Sequence, residues 1–148
     1  MDEQPPRQHA LRRGRVSIPG QAYLVTTVTS GREPLFAEFS RARMLITLLR
    51  DQEQMRRART LAFVVMPDHL HWLMLLGADT GLAQAVGRLK SYSAHRIGRR
   101  VWQKGFHDHA IRDEDDLLEI ARYIVANPLR AGLVDEIGQY PHWDAVWL

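Results

Sequence analysis

Residues 63–76 read Phe63-Val64-Val65-Met66-Pro67-Asp68-His69-Leu70-His71-Trp72-Leu73-Met74-Leu75-Leu76: a buried strand, a Pro-Asp turn, and a second strand carrying two histidines two residues apart. Side chains alternate faces along a strand, so His69, His71, Leu73 and Leu75 point one way and Leu70, Trp72, Met74 and Leu76 the other. At about 3.3 Å per residue, positions i and i+2 stand roughly 6.6 Å apart, close enough for two imidazole nitrogens to converge on one metal ion. Seven histidines in 148 residues give roughly 0.3 His-x-His pairs by chance. The alternative to a metal site is a pair of half-buried, hydrogen-bonded rings. The neighbours favour a site, because a strand of Leu, Met and Trp has little reason to carry two polar rings on one face unless that face opens onto something.

Working outward, Ala22 to Thr29 is rich in β-branched residues and predicts a first strand. Residues 38–55 place Phe39, Met44, Leu45, Leu48, Leu49 and Met55 at helical spacing, and residues 81–98 do the same through Leu82, Val86, Leu89 and Ile97. Val101 to Arg112 reads as irregular or as a short strand. Asp113 to Asp116 put acids at the start of a third helix, favourable for its dipole, and Pro128 stops that helix near Asn127. The order strand, helix, strand pair, helix, short strand, helix predicts an α+β fold, a small antiparallel sheet with helices packed on it, ferredoxin-like. The chain reads as one domain over 1–148, with residues 1–10 disordered, 11–20 a basic arm and 134–148 a C-terminal tail.

No cysteine is present, which excludes disulfides and thiolate metal sites and leaves His, carboxylate, amide and water ligands. The apolar runs are strand-sized and the N-terminus lacks the basic-then-apolar order of a signal peptide, so the expected location is cytoplasmic. Twenty Lys and Arg against seventeen acids give a net charge of only +3; their clustering says more. Arg12, Arg13 and Arg15 form one group, Arg56, Arg57 and Arg59 a second, and Arg88, Lys90, Arg96, Arg99, Arg100 and Lys104 a third. Clustered arginine suits a phosphate backbone, although solvated helix faces give the same pattern.

On the third predicted helix, Leu117, Ile120, Ala121 and Ile124 form the apolar stripe, with Tyr123 and Asn127 about 40° apart on its flank. A tyrosine there is ordinarily packing. Beside a histidine pair it acquires a chemistry. A phenol with an ordinary pKa of about 10 is protonated at neutral pH and a poor nucleophile until its electrophile is strengthened. A metal held by His69, His71 and the Asn127 amide oxygen would polarise a phosphate that Tyr123 attacks.

His69-Leu70-His71 after Met66-Pro67, with Trp102-Gln103-Lys104-Gly105-Phe106-His107-Asp108-His109, Ile111-Arg112 and Tyr123-Ile124-Val125-Ala126-Asn127-Pro128-Leu129-Arg130-Ala131-Gly132-Leu133, closely resembles the single-tyrosine HUH transposases. More narrowly, the chain resembles their domesticated branch, the REP-associated tyrosine transposases, from about Arg12 to Trp143. The resemblance implies a transposase-type nuclease that acts on single-stranded DNA with hairpin structure, the hairpins being repetitive extragenic palindromes. It implies Mg²⁺ or Mn²⁺ at His69, His71 and Asn127, and Tyr123 as the nucleophile of a 5′-phosphotyrosyl link that releases a 3′-hydroxyl. Asn127 departs from the glutamine of mobile insertion-sequence relatives and is one methylene shorter. The tail, Tyr140 to Leu148, resembles the family's Trp-containing end without its serines; its aromatics would stack on bases or dock on the protein itself.

Arg12, Arg13, Arg15, Lys90 and Arg112 are the candidate DNA contacts, and His107 and His109 candidates to line the site. Two other readings compete: a hairpin-binding protein with a lapsed site, and a metal nuclease that uses water while Tyr123 only packs. Tyr92 is a rival nucleophile without an amide one turn on. The expected state is a monomer or homodimer, with no membrane partner.

Overall fold

The computed structural model describes residues 20–147, so the arm with Arg12, Arg13 and Arg15 lies outside the described residues. The β-branched run Ala22–Val28 forms strand β1, since side chains crowded at Cβ suit a pleated backbone. Phe39–Gln54 is helix α1, Ala58–Met66 is β2 and His69–Leu76 is β3, leaving only Pro67 and Asp68 in the turn between these strands. Leu82–Ile97 is α2, His107–Ile111 is β4, Glu114–Val125 is α3, Asn127–Arg130 is the short helix α4, and Trp143–Ala145 is β5.

The five strands lie in the order β4-β1-β3-β2-β5, every neighbouring pair antiparallel. The first four strands with α1 and α2 are the β-α-β-β-α-β arrangement of a ferredoxin-like sandwich, as the sequence predicts. Helices α1 and α2 cover one face, where Tyr23, Val25, Phe63, Val65, Leu70, Trp72 and Met74 meet Leu45, Leu49, Val86 and Leu89. On the other face α3 packs Ala121 and Ile124 against Ala62, Val64, Leu73 and Ile111, with Tyr140 and Trp143 at the margin. The predicted alternation of β3 therefore holds. A register shift between Thr60 and Ala62 makes Leu61 an extra residue, so Thr60 stays on the first face, where the buried indole N–H of Trp72 donates to its Oγ1 at 2.9 Å.

Two expectations for α1 change. Phe39 and Met55 are exposed, and the buried stripe is Ala42, Leu45, Ile46, Leu48 and Leu49. Phe39 stands at the first helical position and packs its ring on His142, 5.1 Å between centroids, while Met55 is the cap beyond the last turn. The tail docks on the protein's own sheet. β5 pairs with β2, the Val65 N–H donates to the His142 carbonyl at 2.9 Å, and the Tyr140 hydroxyl donates to the Val65 carbonyl at 2.5 Å. Burial pushes the Tyr140 phenol up to about 12, which keeps it a donor. Among the described residues no helix is long and apolar enough to cross a membrane.

Candidate active site

His69 and His71 stand at the start of β3, on the face that α3 crosses, with ring centroids 4.8 Å apart and planes at 81°. Each ring is tied through Nδ1. That of His69 lies 2.7 Å from Oδ1 of Asp68, the turn residue before it, and that of His71 lies 2.9 Å from Oγ1 of Thr26 on β1. Partial burial pushes the Asp68 carboxyl up, but the hydrogen bond from His69 and the charges of His69 and Arg32 outweigh it and hold the group below its ordinary value. An ionised carboxylate only accepts, so His69 carries its proton on Nδ1 and, when neutral, its lone pair on Nε2. Burial, then the charges of His69 and Arg130, push His71 down to about 4, which makes it a neutral imidazole at pH 7. Two rings oriented through Nδ1 by a carboxylate and a hydroxyl form the arrangement that commonly supports metal-ligating histidines.

Tyr123 sits on the outer side of α3, 62% exposed, under the guanidinium of Arg130, whose carbon lies 3.7 Å from the ring centroid. α3 ends at Val125, earlier than expected, and Ala126 forms a tight turn before α4. Pro128 explains the break, since it has no N–H to donate back to Ile124. Asn127 thus opens a separate helix, and its angle to Tyr123 is set by the Ala126 turn rather than by one helical period. Among the described residues no third His, Asp or Glu joins the pair to complete a metal cluster, so a third protein ligand would have to come from a group such as the Asn127 amide.

His107 and His109 share this face. Thr26 is opposite both His71 and His107 in the register, so the two histidines flank it at two strand spacings, about 9.6 Å. Asp108, between them, is buried on the other face. Arg112 is exposed just after β4. Lys90 is used within the fold: its ammonium donates to the backbone carbonyls of Gln103, at 2.8 Å, and Gly105, fastening the loop that leads into β4. Arg99, in the same basic cluster, is occupied by the carboxylate of Glu33, at 2.6 and 2.9 Å.

Three residues of this site were absent from the sequence reading as functional candidates: Asp68, Thr26 and Arg130. Asp68 had a signal, a carboxylate directly before a candidate ligand. Thr26 had none short of the strand register, and Arg130 had none.

Comparison with known proteins agrees with this fold. The REP-associated tyrosine transposase of Escherichia coli K12 is 32% identical over 82 residues, 54% of this chain and 50% of that protein. A Haemophilus influenzae protein provisionally described in the same words is 29% identical over 99 residues, 56% of each. The chain thus spans about half the length of the curated relatives it matches. A REP-associated tyrosine transposase solved bound to a REP hairpin superposes with a TM-score of 0.77 at 25% identity, covering 97% of this chain and 82% of that one. The family model for IS200-like transposases matches residues 18–127, from before β1 to Asn127, a span that takes in the first four strands, His69, His71 and Tyr123: the chain belongs to the IS200-like transposase family.

Proposed function

We propose that this chain is a single-stranded DNA endonuclease and strand transferase that cuts beside hairpin-forming repeats through a covalent link to Tyr123. The observation that carries the reading is the pair of imidazoles 4.8 Å apart, each oriented through Nδ1, on the sheet face that α3 crosses. The relative bound to a REP hairpin supports a repetitive extragenic palindrome as substrate. The donor set, two imidazoles with an amide oxygen and water, fits Mn²⁺ or Mg²⁺. Such an ion would supply Lewis-acid polarisation of a non-bridging phosphate oxygen.

The chain's own groups do the rest. His69 and His71 would hold the ion, with the Asn127 amide oxygen as the third ligand, while Asp68 and Thr26 hold the histidines. Tyr123 Oη attacks phosphorus; the O–P bond forms as the bond from phosphorus to the 3′ oxygen breaks. The phenol proton passes to solvent, and the leaving oxygen takes a proton to become a 3′-hydroxyl. Ester energy is kept in the 5′-phosphotyrosine for a rejoining attack by a 3′-hydroxyl. Arg12, Arg13, Arg15 and Arg112 contact phosphates, and His107 and His109 border the strand's path. Lys90, already bound to carbonyls, has the smallest share in DNA contact.

The test is incubation of wild-type and Tyr123→Phe protein with labelled hairpin oligonucleotides in Mg²⁺, Mn²⁺ or EDTA, resolved on a denaturing gel. A metal-dependent covalent band that the substitution removes is the expected result. Cleavage that survives Tyr123→Phe would assign the reaction to water, and binding without cleavage in any metal would assign the chain to hairpin binding alone.

A further inference from the structure

An exposed phenol on a helix turns among rotamers, yet a nucleophile reacts only from a narrow range of approach, where a misplacement of about 1 Å can cost roughly 100-fold in rate. Something must hold Tyr123. Arg130 stands seven positions on, which in an uninterrupted helix would carry it about 10.5 Å along the axis. The long side chain reaches back nonetheless, and the guanidinium carbon lies 3.7 Å from the centre of the Tyr123 ring.

We propose that Arg130 is a positioning residue that holds the Tyr123 ring by its face, limiting the directions from which the hydroxyl approaches phosphorus. The inference rests on Tyr123 being the nucleophile. A merely structural Arg130 would complement the C-terminal end of α4 with its positive charge, and lysine would serve there equally. A planar guanidinium on a ring is a different contact, which lysine reproduces only in part.

Two measurements test it. In solution NMR, the Arg130 side-chain protons should be shifted upfield by the Tyr123 ring current, and Tyr123→Leu should return them to ordinary positions. Ordinary shifts in the wild type would overturn the stacking whatever the enzyme's activity. In single-turnover reactions at saturating hairpin DNA, Arg130→Ala should slow formation of the covalent adduct by about 10- to 100-fold, with the dissociation constant for hairpin DNA within about threefold. Arg130→Lys should recover only part of that rate. Adduct formation at the wild-type rate in Arg130→Ala, or full recovery by Arg130→Lys, would overturn the positioning role while leaving the tyrosine mechanism intact. A wild-type protein that forms no adduct, yet shows the ring-current shift, would instead overturn the mechanism and the positioning role with it, and leave the stack as packing.

Discussion

The two faces of strand β3 differ in what they bury. On one, Leu70, Trp72 and Met74 have no solvent exposure and are locked between β3 and the helices α1 and α2. On the other, Leu73 is as dry, but His71 and His69 beyond it are half-buried and meet edge to face. One backbone serves both: the first face supplies the rigidity, and the second uses it to fix two rings relative to one another. Because side chains alternate, a shift of one residue along β3 moves a substitution from the closed core to the face that carries the histidine pair. The adjoining strands follow the same rule. On β1, Val25 is core while Thr26 holds His71; on β4, Asp108 is buried while His107 and His109 are exposed.

The largest expected effect is on the closed face. Trp72→Ala should lower the stability to urea unfolding by about 3–5 kcal/mol, the cost of a large cavity, and it strips the Thr60 hydroxyl of its indole donor. A loss below about 1 kcal/mol, the range of minor substitutions, would mean that this face does not hold the strand.

Acid acts on the open face. The folded pKa of His71, about 4, lies below its ordinary value of about 6.5, so the unfolded chain takes the proton first. The stability that His71 contributes is therefore complete above about pH 7, falls as the pH drops from 6.5 towards 4, and is gone below; for a largely buried ring this is on the order of 3 kcal/mol. His142 is also pushed down, by burial and then by Arg43, and adds in the same sense. Urea unfolding at pH 7 and pH 4.5 should show this loss, and His71→Gln should lessen it without removing it. An unchanged acid dependence in that variant would mean that His71 is not the buried neutral ring described.

The sequence made some of this legible and hid the rest for physical reasons. Local periodicity carried the hairpin, the three long helices and the parity of β3, because a buried face repeats every two or every 3.6 residues. The histidine pair was legible for the same reason. Thr26 was not: its hydroxyl reaches His71 only because β1 pairs with β3 in a register that joins residues 45 positions apart. Lys90 read as a DNA contact since it is a cation on a helix, but the loop before β4 turns carbonyls towards it. Arg130 lay within the motif that carries the family resemblance, yet its place on the Tyr123 ring is a contact between side chains seven positions apart that no apolar period announces.

The smallest predicted effect separates holding a ligand from being one. Asp68→Asn keeps an oxygen that accepts from His69 Nδ1 but removes the charge, along with the 3.2 Å ion pair to Arg32. If the carboxylate only orients His69, calorimetric titration should give an Mn²⁺ affinity weakened by about 10-fold, the low end for a residue that supports a ligand, while His69→Ala removes binding. An Asp68→Asn protein as incapable of binding as His69→Ala would make the carboxylate itself a ligand and shift the metal toward the turn, away from His71 and the tyrosine. Unaltered affinity would place the metal's hold wholly in the imidazoles, and the open face of β3 would then owe its chemistry to strand geometry alone.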